Sequence, residues 1–177
     1  MEKTIIKNLL AFKRDKISNY VIPGLDSYLI LDNGPEGKIR LFESTRDHQE
    51  SITPHSHRFD FTCCVIAGEV KNRVWSWDRF GDKFMKTTLI YSNIGEYEKN
   101  QEDADSYGYR DHIYKEGDCY SMDSNEIHSI YFSKGAKVLF FEGPTETDSS
   151  IILEPFVDDE VIPTFEVKPW MFKKSID

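Results

Sequence analysis

The segment Pro54-His55-Ser56-His57 places two imidazoles two residues apart. On an extended strand, positions i and i+2 face the same side, so both rings could bind one metal ion. A third ligand must then come from another strand. His128 is the candidate: it follows a turn at Gly117-Asp118 and a second turn at Asp123-Ser124-Asn125, and it opens the next strand. Three arrangements stay open. The site is three neutral imidazoles, or it recruits a carboxylate such as Asp60 or Glu126, or it is degenerate and the pocket only binds a ligand. Three imidazoles with an open face suit one divalent ion, and the ligand set alone does not separate Fe(II), Zn, Mn and Ni.

Other side chains could act beside the metal. His112 is a candidate acid–base group, because imidazole titrates near neutrality. Tyr120 is a second candidate catalytic group. Phe61 and Cys63 lie on the inward phase of an apolar strand and are candidates for substrate contact. Arg73 and Trp75 alternate on one strand face, followed by Trp77. If that face is internal, Arg73 clamps a substrate acid group in a bidentate way and Trp75 packs beside it. If it is external, the chain's tail covers it. His48 reads as a polar loop residue.

These residues need a rigid frame, and the pattern supplies strands. Aromatic and β-branched runs predict strands near Ser27–Leu31, Lys38–Ser44, Asp60–Ile66, Val70–Trp77, Phe84–Ser92, Tyr107–Tyr114, Cys119–Met122, His128–Phe132 and Val138–Glu142. Asn33-Gly34-Pro35, Phe80-Gly81-Asp82, Lys115-Glu116-Gly117 and Lys134-Gly135 read as turns. Many short, closely spaced strands predict an all-β antiparallel barrel or sandwich. Ile5, Leu9 and Phe12 share one face of a predicted helix over 1–16. Residues 93–106, rich in Glu and Asp, read as an exposed acidic loop. From Thr145 the tail is expected to wrap over the barrel and bury Phe156, Phe165, Trp170 and Phe172. The 177 residues fit one domain, 1–177.

Composition narrows the partners. The formal net charge is −9, from 22 Lys and Arg against 31 Asp and Glu. Phosphate affinity needs clustered cations, so nucleic acid is not expected. Five cations among the first 16 residues read as a solvated face. The longest apolar run, Phe61–Ala67, is a strand's length, so no membrane partner is expected. The first residues lack a signal-peptide pattern. Three cysteines, an odd number without Cys-x-x-Cys spacing, point to a reducing, cytoplasmic compartment. A small-molecule ligand is the expected partner, with a homodimer as a further option.

The histidine pattern resembles the cupin superfamily. Its first motif is Gly, five residues, His-x-His, three or four residues, Glu, six residues, Gly. His55, His57 and Gly68 match it, Gln49 replaces the opening Gly, and the Glu position falls on Phe61 or Thr62. Its second motif is Gly, five residues, Pro-x-Gly, two residues, His, three residues, Asn. Gly117 and His128 match that spacing, with Asp123, Asn125 and Phe132 at the Pro, Gly and Asn positions. The resemblance implies a single-domain jelly-roll barrel with a metal at His55, His57 and His128. A three-His site without Glu is similar to that of the cupin thiol dioxygenases. This implies a mononuclear iron dioxygenase acting on a small anionic, possible thiol, substrate. Cys63 falls one residue beyond that family's cross-linked cysteine, so no cysteine–tyrosine bond is assigned. Two alternatives are kept: a non-catalytic small-molecule binding protein, and a metal-dependent sugar or keto-acid isomerase or lyase.

Overall fold

The computed structural model describes residues 8–48, 52–92, 96–157 and 160–161. They form twelve strands in two antiparallel sheets. The first sheet contains β1 (Arg14–Ile17), β2 (Leu25–Asp32), β3 (Lys38–Ser44), β10 (Lys137–Glu142), β4 (Phe61–Ala67) and β8 (Cys119–Met122), in that spatial order. The second is built on β5 (Glu69–Tyr91), flanked by β6 (Tyr97–Gln101), β7 (Asp105–Lys115), β9 (Ile127–Phe132) and β11 (Ser149–Val157). A short β12 (Glu160–Val161) pairs with β11. This is the all-β, two-sheet architecture that the sequence predicts.

The main core lies between the sheets. Phe61, Cys63 and Val65 on β4, Val138 and Phe140 on β10, and Val70, Ile130 and Phe132 opposite them are all buried. They sit at every second position because successive strand side chains point to opposite faces. The outer face of β10 is also covered. Leu139 is fully buried with Ile30 and Leu41, and Leu9 and Leu10 pack against them. Gly68 makes the tight β4–β5 connection with φ +70°, and a Cβ there would press on the Ala136 backbone. The closing glycine of the first motif is thus required by geometry.

Several expectations need correction. A small N-terminal helix is present, described at residues 8–10, but it ends before residue 16 because the chain extends into β1 from Arg14; residues 1–7 lie outside the described residues. The expected strands Val70–Trp77 and Phe84–Ser92 are one strand, β5. The expected turn at Phe80-Gly81-Asp82 is a bulge, because Trp77 and Asp82 both oppose Tyr107 of β7. Gly81 fits there because a Cβ would collide with the Tyr107 carbonyl. The acidic stretch holds β6, which pairs with β5, and Glu102 bonds to Lys86 and Thr88. Acidic composition suggested a loop, but pairing with β5 makes it a strand, and Lys86 on β5 offsets the charge of Glu102. In the tail, β11 pairs along β5 from Phe84 to Ile90. Phe156 is half-buried, and Phe165, Trp170 and Phe172 lie outside the described residues.

The cysteine reading also changes. Cys64 and Cys119 oppose each other on β4 and β8 and form a disulfide, leaving buried Cys63 as the free thiol. Sequence spacing hid this pair because 55 residues separate its members. Disulfides persist in oxidising surroundings, so cysteine usage no longer supports a reducing compartment. No described helix is long and apolar enough to cross a membrane. Thiol titration of the denatured, unreduced protein is expected to give one reactive thiol per chain, rising to three after reduction. Three thiols without reductant would refute the pairing.

Candidate metal centre

His55 lies in no regular strand. It forms an isolated bridge to His128 of β9 on one side and to Ile152 of β11 on the other. The amide of each histidine donates to the carbonyl of the other, both at 2.9 Å. His57 is held two residues on, where its amide donates to the Ser124 carbonyl at 3.1 Å. The expected strand at His55–His57 is therefore a short connection. It spans β9 and β11, which flank β5 before and after its bulge.

The three rings converge. Their potential ligand atoms lie within 4.8 Å of one another, and no carboxylate belongs to the cluster among the described residues. His55 Nδ1 lies 2.7 Å from the Thr53 carbonyl and must donate to it. That leaves its Nε2 with a free lone pair. His128 Nδ1 lies 2.7 Å from Asn72 Oδ1 and donates to it, so its Nε2 is also unprotonated. The tautomers here follow from these acceptors. Asn72 is fixed in turn, with its Nδ2 donating to Met122 Sδ at 3.3 Å. Sequence reading missed Asn72, whose place is visible only through the β5–β9 pairing.

His57 Nε2 lies 3.0 Å from His128 Nε2. Because the His128 nitrogen has only a lone pair to offer, either a proton on His57 or a shared cation must hold this contact. Two ligands binding one ion at right angles with bonds of ~2.1 Å would stand ~3.0 Å apart. Burial lowers the pKa of His55 and pushes those of His57 and His128 well below the usual imidazole range. All three are therefore neutral at pH 7 and able to donate lone pairs. The residues present fit a divalent ion with nitrogen ligands.

The carboxylates considered from sequence are used elsewhere. Asp60 Oδ1 accepts from the Ser124 amide at 2.7 Å, and Glu126 Oε2 accepts from the Asp123 amide at 2.8 Å. Phe61, standing where the resemblance expects Glu, packs its ring 4.7 Å from His57 and 5.4 Å from His128. The arrangement of three imidazoles is the one formed.

The remaining candidates divide. Phe61, Cys63 and Tyr120 line the same pocket as the histidines. Cys63 and Tyr120 are opposed on β4 and β8. The Tyr120 hydroxyl is buried with no oxygen or nitrogen partner among the described residues. Burial pushes its pKa well above the usual phenol range, and pushes the Cys63 thiol up to about 12. Cys63 is thus a protonated thiol at neutral pH. His112 is not in the pocket; it is exposed on β7. Arg73 and Trp75 face away from the pocket, because their neighbours Asn72 and Val74 take the inward positions. Arg73 is instead paired with Asp111 at 2.6 Å and lies over the Tyr109 ring at 3.6 Å. Trp75 Nε1 donates to Ser129 Oγ at 3.0 Å. Strand alternation gave these two a common face without saying which face was internal.

Other cations line the pocket: Lys38, Arg40 and Arg58, with Glu142. Phe42, Phe59 and Phe140 supply much of its wall. His48 is buried against Phe132 rather than looped into solvent.

No family model matches the chain, and no curated protein matches it. Solved structures with similar folds include Fe(II) HppE in complex with substrate, at 10% identity and TM-score 0.47 over 73% of this chain and 56% of that one. KdgF from Halomonas sp. aligns at 14% identity and TM-score 0.42, over 73% and 88% of the two chains. Oxalate decarboxylase from Lactobacillus farciminis, as a formate complex, aligns at 13% identity and TM-score 0.42, over 74% and 33%. The chain thus spans little more than half of HppE. The all-β fold rests on the sheets and the histidine geometry described above.

The depressed imidazoles make a pH prediction. Below about pH 6.5 the unfolded chain binds protons that the buried rings exclude. Stability of the metal-free protein is therefore complete above that pH and falls as pH drops, by at most about 1.4 kcal/mol per pH unit for each ring. Urea midpoints in chelator at pH 7 and pH 5 measure this. A His57→Phe variant should show a smaller drop, and an equal drop would refute the assignment.

Proposed function

We propose that this protein is a mononuclear metal enzyme, an iron(II)-dependent dioxygenase of a small anionic substrate, with His55, His57 and His128 holding the ion. The observation that carries this reading is the convergence of three neutral imidazoles, His55 and His128 buried and His57 half-buried, with no carboxylate among them. Bound there, the ion would supply Lewis acidity and one-electron redox chemistry.

The chain's own residues prepare the site. Thr53 and Asn72 fix the His55 and His128 rings so that both present Nε2. Three neutral ligands leave the ion's 2+ charge uncompensated, which favours an anionic substrate. Lys38, Arg40 and Arg58 add attraction in the same pocket. Phe59, Phe61 and Phe140 pack around His57 and limit water. Tyr120 retains its proton at neutral pH, so its hydroxyl can donate a hydrogen bond to a substrate atom. Cys63, as a protonated thiol, contributes packing rather than a nucleophile. The isomerase or lyase reading relied on an inward His112, which is exposed. The non-catalytic reading relied on a degenerate site, whereas the imidazoles are oriented by their own hydrogen-bond partners.

Elemental analysis of tag-free protein should show about one equivalent of iron per chain, absent from a His55→Ala/His57→Ala variant. Oxygen uptake should accompany addition of small acids and thiols only in the loaded parent. No metal after anaerobic reconstitution would refute the reading, and zinc or manganese would overturn its iron chemistry. Asn72→Ala should weaken metal affinity roughly 10- to 100-fold while the protein stays folded, because His128 loses its orienting acceptor. Unchanged affinity in metal-competition titrations would show that Asn72 plays no such part.

A further inference from the structure

Nearly all half-buried cations among the described residues have carboxylate partners: Lys13 and Lys137 pair with Glu43, Lys38 with Asp32, Lys71 and Arg73 with Asp111, and Lys86 with Glu102. With 31 acidic residues against 22 basic ones, partners are plentiful. Arg40 and Arg58 depart from this pattern. Neither has a carboxylate within ion-pairing distance among the described residues, although both are half-buried in the histidine pocket. Arg40 makes one long hydrogen bond, Nη1 to Ser27 Oγ at 3.4 Å. The Arg58 guanidinium lies 4.3 Å from the centre of the Tyr91 ring, and its buried Nε has no partner. Glu142 shares the pocket, yet burial raises its pKa despite the pull of Lys38, Arg40 and Arg58. Two guanidiniums are thus left with unfilled donors facing a cavity, and such forks match planar oxyanions.

The route from these arginines to the histidines is aromatic. Arg40 opposes Phe140 across β3 and β10, and Phe140 opposes Cys63 across β10 and β4. Ring contacts run from Tyr20 to Phe42 (5.4 Å), Phe42 to Phe140 (5.7 Å), Phe140 to Phe61 (4.9 Å) and Phe61 to His57 (4.7 Å). A ligand between the two ends needs an oxyanion at one end and an apolar body along this wall.

We propose that Arg40 and Arg58 form a carboxylate subsite, and that the ligand is a monocarboxylate with an aromatic or branched apolar body. Its acid group sits on the two guanidiniums, and its apolar body points along the rings toward the histidines. This rests on the proposed metal-enzyme reading for its catalytic meaning, but binding itself needs no metal.

The test is calorimetric binding of 3-phenylpropanoate, its neutral amide and acetate to the full chain, metal-loaded and metal-free. Phenylpropanoate should bind at least tenfold tighter than the amide, which lacks the charge, and than acetate, which lacks the ring. Arg40→Gln and Arg58→Gln should each weaken phenylpropanoate tenfold or more and leave the amide unchanged. Arg58→Lys, which keeps the charge but not the fork, should fall between. Arg73→Gln, outside the pocket, should bind as the parent does. Unchanged thermal midpoints would confirm folding, and a Gln variant that unfolds is replaced by the corresponding Lys variant. Equal affinity for acid and amide, no binding of phenylpropanoate at millimolar concentration, or indifference to both arginine substitutions would overturn the subsite. A chain that holds iron yet treats acid and amide alike refutes the subsite alone. A chain that discriminates them through the arginines but never binds metal refutes the enzyme reading alone.

Discussion

The reciprocal pair of backbone hydrogen bonds between His55 and His128 is the constraint on which the site depends. It fixes two candidate ligands by main chain rather than by side-chain chance. It also places the connection before β4 between β9 and β11, so that His57 emerges two residues later beside both. Buried backbone groups must find partners, and here the partners are the other ligand's own amide and carbonyl. The site is therefore as rigid as the sheet that carries it.

Asn72 and Thr53 extend that rigidity to the rings. Each accepts the proton of a histidine Nδ1, and each choice of tautomer frees an Nε2. The aromatic surroundings then do two things. They make charging the imidazoles costly, which keeps the lone pairs free, and they form a dry wall leading away from the site. The absence of a carboxylate in the cluster follows locally: Phe61 fills the matching position, and Asp60 and Glu126 cap turns instead.

Polar chemistry in this protein is sorted by face. On β5, Asn72 points inward to a histidine while Arg73 points outward to Asp111. On β3, Arg40 points inward, where no carboxylate among the described residues lies within ion-pairing distance of it. The first arrangement leaves an outward arginine neutralised, and the second leaves an inward one with capacity to bind. A strand's alternation makes both from neighbouring residues of similar type.

The sequence by itself determined the all-β class, most of the strands, the His55–His57–His128 trio and the inward phase of Phe61 and Cys63. These follow from local periodicity and from turn residues such as Gly68, which act over a few positions. It could not assign Arg73, because period-two alternation defines two faces without naming the inner one. It joined no Cys64 to Cys119 and no Asn72 to His128, because such pairs depend on which strands become neighbours. It read the 93–106 segment as a loop, because the strand that pairs with it and the Lys86 that meets Glu102 lie elsewhere in the sequence. Only the tertiary structure decided those points: strand order and register bring distant residues together, and no local pattern encodes that pairing.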